Sequence, residues 1–471
     1  MLRALTALRT TITMPDQKAT GLRLKAYNGR NRKKQCHLQK EEDTQELIGG
    51  RRNADATHMF HAFHEGSTKA YKHLEALKKN SWDPSEDLEE ELKIRLDKAD
   101  VNIAAYDISV EEKPSEVTVI ENLFERKKIV ESFERLRRRV YEWGLMDSRP
   151  WYYVMKSLTT SSFMFIAFYL QYCEWYLTSA ICLAVAWQQF GWLTHDCAHH
   201  QPTRNRKLNN MLSLVFGNLV QGFSSDWWKD KHNTHHAATN MIDRDRDIDL
   251  FPLLALIPSD ILKYKLPAER FILKFVPYQH LYFTLTLPLL RISWTTQSLL
   301  WVFGESVSSE YCIYRKNALT EQSLLVAHWA WVLLQLYLLP SMSVRVMYFV
   351  VSQFLSAFLI AHVVTFNHNS VDKYPANSRL LNNFPCLQIL TTRNMTPGPI
   401  TDWLWGGLNY QIEHHLFPTM PRCNLSTCML LVKEFCRENN LPYMVNNYFE
   451  GYAMNLKQLE NIAHLAHAVA S

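Results

Sequence analysis

The sequence predicts an all-α integral membrane protein: about four transmembrane helices, interfacial helices, and a cytosolic histidine-rich domain that binds two metal ions. Three observations carry this expectation. Charge is dense up to residue 150 and then gives way to long apolar blocks. Aromatic residues are abundant, with 14 Trp, 21 Tyr and 23 Phe, and such side chains suit a boundary with one apolar and one wet side. Histidines gather in tight clusters beside the apolar blocks. The 471 residues are 47% hydrophobic and 21% charged, which excludes a disordered or fibrous chain. A net charge of +5 gives no reason to expect a nucleic-acid partner. The nine Cys are scattered and include no CxxC pair. That argues against a disulfide framework or a thiolate zinc site and fits a reducing compartment.

Residues 1–13 make a poor signal peptide, because their apolar run is short and broken. From 15 to 150 nothing is apolar enough to span a bilayer. Helices are expected at 85–100 and at about 119–143, the second carrying Leu123, Ile129, Val130, Phe133 and Leu136 on one face. Arg137, Arg138 and Arg139 follow as a solvated helix face or as an anchor at an anionic membrane surface. A span needs roughly 20 residues. Two fit at 155–173 and 176–196, with Glu174 and Trp175 at the turn, and two more at 321–340 and 343–366, separated by Pro340. The stretch 276–290, broken by Pro277 and Pro288 and closed by Arg291, suits an interfacial or re-entrant helix.

The first cluster is His195-Asp196-Cys197-Ala198-His199-His200. His195 and His199 are four residues apart, so a helix places both on one face. Three His at the end of a span cost desolvation without adding apolar area, so packing explains them poorly. The second cluster has His232 and His236 at the same spacing, with His235 between them. The third is Gln411-Ile412-Glu413-His414-His415. His362 and Asn367-His368 lie near the end of the last span, and either His could complete a metal sphere. His280 and His328 read as packed or interfacial residues. The count exceeds one four-coordinate site and suffices for two ions. Imidazole suits Fe, Zn, Cu and Ni, so ligand chemistry alone does not choose. Ligands must also converge on one side of the membrane. An even number of spans must then separate the first cluster from 362–368, which holds only if 276–290 does not cross. With the arginines of 137–139 beside the first span, that side should be cytoplasmic.

The three clusters resemble the histidine boxes of membrane fatty acyl desaturases: HxxxH at 195–199, HxxHH at 232–236 and QxxHH at 411–415. Gln411 at the head of the third box is similar to the front-end group, in its nematode-like delta-5/delta-6 form. The resemblance covers about 53–460. It implies a di-iron centre that activates O2 and introduces a cis double bond into a polyunsaturated acyl chain, carried as lipid or as acyl-CoA. It implies iron ligation by His195, His199, His232, His235, His236, His414 and His415, with His368 as the ligand before box three and His362 as runner-up. Asp196, Asn367 and Gln411 would support the ligands from behind.

The resemblance further implies an endoplasmic reticulum protein with boxes and both termini cytoplasmic, and a desaturase domain over 151–460 after an amphipathic linker at 116–150. Residues 15–115 resemble a small α+β cytochrome b5 domain in degenerate form. His64, in Phe63-His64-Glu65-Gly66-Ser67, would match the distal haem ligand. Leu47-Ile48-Gly49-Gly50 stands where the proximal His-Pro-Gly-Gly would be, and the nearest upstream imidazole is His37. With one axial ligand lost, haem binding is in doubt, and electrons would come from a separate cytochrome b5 and its NADH-dependent reductase. Two other classes compete with this reading. A lipid hydroxylase shares the di-iron plan, whereas a metal transporter would place His or acids inside the spans rather than at their ends.

Overall fold

The first helix owes its position to a stripe. Ile129, Phe133, Leu136 and Val140 recur at helical spacing and are all buried, while Lys127, Glu131, Arg135 and Arg138 face out. In the computed structural model, which describes Met59, His61, Ala62 and residues 123–305, 312–376 and 378–470, this is α1, Leu123–Glu142. It stops at Gly144, whose φ of +64° is the left-handed turn that ends many helices. Of the three arginines, Arg137 pairs with Glu134 at 2.8 Å and Arg139 with Glu434 at 2.7 Å, leaving Arg138 exposed. Neither the expected helix at 85–100 nor His37 and His64 lie within the described residues. Of 15–115, Met59 is described as buried against the same core as α1.

Two long helical hairpins follow. Helices α2, Pro150–Tyr172, and α3, Tyr176–Ala198, are joined by a turn at Glu174 with φ +64°. Helices α9, Cys312–Tyr337, and α10, Met342–Phe366, form the second hairpin. Ser341 caps α10 by accepting from Val344 N, and Arg345 turns back to donate to the Tyr337 and Leu339 carbonyls at the end of α9. Each of the four helices has 23 to 26 residues, long enough at about 1.5 Å per residue to exceed a hydrocarbon core of about 30 Å. Among the described residues, α10 is the one helix both long and apolar enough to cross a membrane on length and composition. Helix α3 lies at the centre. From Leu183 onward nearly every residue is buried, and small residues at Ala180, Ala184, Ala186 and Gly191 let its neighbours approach closely.

Between the hairpins, α4 (Arg206–Ser213) runs into a π-helical stretch, Leu214–Gln221, and then into α5, Ser225–Ala237. Helices α6 (Pro267–Leu273), α7 (Gln279–Thr286) and α8 (Leu290–Leu300) lead on to α9. Here one expectation is corrected. Pro277 and Pro288 bend the 276–290 stretch, but Arg291 does not close it. The chain continues helically to Leu300 because Arg291 is buried and satisfied by neutral groups. It donates to Gln353 at 2.8 Å and to Gln221, and its guanidinium lies 4.4 Å over the Trp187 ring.

After α10 the chain builds a helical cap: α11 (Phe384–Leu390), α12 (Pro399–Leu404), α13 (Gln411–Leu416), α14 (Leu425–Glu438) and α15 (Tyr448–Ala470). A two-residue parallel pair, β1 (Asn394–Met395) with β2 (Val445–Asn446), is the one ladder among the described residues. Apart from an isolated parallel bridge between Met241 and Tyr374, the regular structure of the described residues is otherwise helical. The largest apolar core joins α1, α11, α13 and α14, with Phe133 against Phe384, Phe417 and Phe435 at about 6 Å.

Gly222 is where the chain turns into α5. Its φ is +82°, and a Cβ there would stand 2.3 Å from His328 Nε2. Gly222→Ala should therefore cost folded protein more than about 1 kcal/mol. Gly398→Ala, at an extended φ with nothing nearer than 3.7 Å, should stay within about 0.5 kcal/mol. Thermal unfolding of the detergent-solubilised variants checks the contrast.

Candidate metal centre

Four separate segments deliver the histidines. The last turns of α3 present His195 and His199, α5 presents His232, His235 and His236, α13 presents His414 and His415, and the turn after α10 presents His368. Seven of these eight are buried, and His232 is nearly so. They divide into two groups. His195, His199, His232 and His414 bring one ring nitrogen each to within 4.8 Å of one another, and His235, His368 and His415 do the same. His195 Nε2 and His414 Nε2 are 3.2 Å apart. His236 stands between the groups. Its Nε2 is 3.1 Å from that of His232, its ring stacks on His415 at 4.2 Å, and it meets His199 and His414 at 4.7 and 4.8 Å. Trp228 forms an apolar wall, stacked on His232 at 4.2 Å.

The other nitrogen of most rings is held by a fixed acceptor. His232 Nδ1 meets Asp247 at 2.8 Å, His235 Nδ1 meets Asp245 at 2.7 Å, and His368 Nδ1 donates to the Thr391 carbonyl at 3.1 Å. His415 Nδ1 donates to Gln388 Oε1 at 2.8 Å, and the Gln388 orientation follows because its Nε2 donates to the His236 carbonyl. His195 Nδ1 lies 3.3 Å from Asp196, whose second oxygen pairs with Arg422 at 2.9 Å. Each such contact puts the proton on Nδ1 and leaves the Nε2 lone pair facing inward.

Electrostatics favour uncharged rings. Burial and the neighbouring imidazoles hold His199, His236, His414 and His415 well below the ordinary histidine range. Burial, then His235, does the same to His368. Burial lowers His232 to about 4 despite Asp247. His235 goes the other way: burial pushes it down, but the charge and hydrogen bond of Asp245 outweigh this and raise it. Neutral imidazole is the form that binds metal. The buried His199 Nε2 has no hydrogen-bond partner, and the close Nε2 pairs of His195 with His414 and of His232 with His236 leave inward lone pairs without donors. Divalent cations on an all-nitrogen donor set satisfy both, so these residues fit two metal ions.

His368 and His362 are separated by the fold. His368 joins the second group, whereas His362 bonds to Tyr448 OH at 2.8 Å among the Phe358, Tyr448 and Tyr452 rings. Asn367 donates to both the Leu408 carbonyl and Gln411 Oε1. That turns the Gln411 amide so that its Nε2, a donor only, faces His368 and His415 at 3.0 and 3.1 Å. His328 is fully buried between Trp187 and Trp331, with Nδ1 to the Leu219 carbonyl. The sequence reading missed Asp245, Asp247, Gln388 and Thr391. The run Asp243-Arg244-Asp245-Arg246-Asp247 carried a signal, alternating acids just beyond box two. Gln388 and Thr391 carried none, since their role depends on chain folding. It also missed Glu413, which faces away from the rings and pins α13 through Asn394 and Tyr443 at 2.8 and 2.7 Å.

Two adjoining groups of buried or nearly buried histidines in a helical protein are consistent with a site for two metal ions. The fatty acid desaturase family model matches residues 174–447. The delta(6)-fatty-acid desaturase fat-3 of Caenorhabditis elegans is 60% identical over 97% of this chain and 99% of its own. The delta(5) fatty acid desaturase fat-4 of the same organism is 48% identical over 88% and 90%. A delta(8)-fatty-acid desaturase of Euglena gracilis is 39% identical over 71% and 80%. The chain belongs to the fatty acid desaturase family. It is an oxidoreductase whose histidine groups are able to hold a di-iron centre.

Asp245→Asn and Asp247→Asn each remove the charge that orients a ring while keeping its size. Each should lower metal retention about 10–100-fold, with protein abundance near normal. Iron content after a chelator challenge measures this.

Proposed function

We propose that the protein is an oxygen-dependent front-end acyl desaturase of the endoplasmic reticulum membrane, acting at the delta-6 position of polyunsaturated chains. The two adjoining all-nitrogen groups carry the reading, because a buried, apolar-walled imidazole set suits redox chemistry on an unactivated CH2–CH2 unit. A pair of iron ions would supply O2 activation and removal of two hydrogens. The balance is one acyl CH2–CH2, one O2, two electrons and two protons, giving CH=CH and two waters. His195, His199, His232, His235, His236, His368, His414 and His415 would hold the metal, with Asp196 and Asn367 as supports and Gln411 directing an N–H inward. Gln411 heading the third box supports the front-end assignment. The higher identity to the delta(6) than to the delta(5) relative supports the position.

Helices α2, α3, α9 and α10 are read as the spans. Leu319, Val326 and Leu333, seven residues apart on α9, are all more than half exposed and form a stripe suited to lipid. Trp151 near the start of α2, with Tyr172 and Trp175 at its far end, suits the two interfaces. Leu281 and Leu285 on α7 are exposed one turn apart, as expected of a segment lying in one leaflet. This topology puts all boxes and both termini on the cytosolic side, with the desaturase domain at 151–460. Electrons would come from cytochrome b5 and its NADH-dependent reductase.

Expression in yeast fed polyunsaturated acids, with double-bond mapping of the products, tests the activity. A new delta-6 double bond is expected. A delta-5 bond would overturn the position alone, and a retained oxygen would favour the hydroxylase. Tags at 262 and 310 should both be reached from the cytosol, and opposite accessibility would contradict the four-span reading.

A further inference from the structure

Resting on the reading that the two histidine groups hold metal, we infer that Arg393 is a positioning residue for His368, and through it for the second group alone. Arg393 is fully buried, and no carboxylate pairs with it among the described residues. A buried cation without a counter-ion is expensive, so its donors call for other acceptors. Those on Nη1 and Nη2 find them around one histidine, whereas Nε has no hydrogen-bond partner. Nη2 donates to the Phe366 carbonyl, two residues before His368, and Nη1 donates to Ser370 Oγ at 2.8 Å, two residues after it. The Arg393 backbone N–H donates to the Asn367 carbonyl at 3.1 Å. Two residues before Arg393, the Thr391 carbonyl accepts from His368 Nδ1. Segments 366–370 and 391–393 are thus laced together on both sides of the ligand.

The charge is offset where the lacing occurs. The Phe366 carbonyl is at the C-terminal, partially negative end of α10, and the guanidinium lies 4.7 Å over the Phe366 ring. Helix α15 closes the site from outside. Arg393 reaches its Gly451 carbonyl and Asn455 Oδ1 at 3.4 Å, and Asn455 donates to the Thr365 carbonyl at 3.0 Å. Gly451 allows this approach, since a Cβ there would stand 2.3 Å from the Phe366 ring.

His368 needs such a device more than its partners do. His235 and His415 sit on helices, whereas His368 lies in the turn beyond α10. Among the described residues, Arg393 hydrogen-bonds to none on α3, α5 or α13, the helices that position His195, His199, His232 and His414. Loss of Arg393 should therefore release one of the three rings of the second group and leave His195, His199, His232 and His414 in place.

The test is an anaerobic titration of the chelator-stripped, full-length protein in detergent with iron(II), scored by bound iron against a competing chelator. The unsubstituted protein should show two sites. Arg393→Met should keep one at unchanged affinity and weaken the other about 10–100-fold, as should His368→Ala. The double variant should be no worse than either single one. Arg393→Lys, which can meet the Phe366 carbonyl but not the other acceptors together, should weaken the same site less. Should Arg393→Met give no folded protein, Arg393→Lys decides: loss confined to one site supports the assignment, and two unchanged sites or loss of both overturns it. Fewer than two sites with Arg393 in place would instead overturn the metal reading, and this assignment with it.

Discussion

The structure turns on one constraint: eight imidazoles must be packed together away from water, most of them held neutral, with a lone pair of each directed inward. An imidazole has two nitrogens, and in its neutral form only one carries a proton. If the proton faced inward, the ring could not ligate. The protein settles this by giving Nδ1 of His232, His235, His368 and His415 an acceptor from another segment: Asp247, Asp245, the Thr391 carbonyl and Gln388. Acceptors outside fix the proton outside. Burial and mutual repulsion then keep most of the rings neutral.

That constraint explains much of the architecture. The acceptors must be rigid, so they come from a loop sewn to α5 and from the α11–β1 segment sewn to α13. Asn394 ties that segment to box three, accepting from Ile412 N and donating to Glu413. Helix α5 is in turn fixed from the other end. The buried Glu321 of α9 accepts from Asp226 N and Ser224 Oγ at its first turn. The histidines of α5 are thus positioned by α9 at one end and by Asp245 and Asp247 at the other. Of the long helices, α3 presents His195 and His199 at its end, and α10 leads into the turn that holds His368.

How much of this was legible in the sequence follows from its physics. Local periodicity shows directly. The pairing of His195 with His199 and of His232 with His236 is a helical spacing, and the apolar blocks at 155–173, 176–196 and 343–366 overlap α2, α3 and α10 closely. Helix α9 starts nine residues before the expected 321, because the polar run Arg315-Lys316-Asn317 interrupts the apolar pattern while the helix continues through it. Arg291 misled for a related reason: a charge marks the end of an apolar run only when water is its cheapest partner, and here Gln353, Gln221 and Trp187 substitute. Gln388, Thr391 and Arg393 were invisible because their chemistry lies in which segment they face. His368 was selected over His362 by resemblance, and the turn after α10 is what separates them in space.

The central claim is that the metal environment is built from imidazole nitrogen, with Asp245 and Asp247 bonded to rings and not to metal. X-ray absorption at the iron edge of the iron-loaded protein tests it most directly. The account predicts a first shell dominated by histidine nitrogen, with the outer scattering that imidazole rings produce, and the same shell in Asp247→Asn protein that retains its iron. A shell with carboxylate oxygen that disappears in Asp247→Asn would contradict it, since it would make that aspartate a ligand rather than the group that orients one.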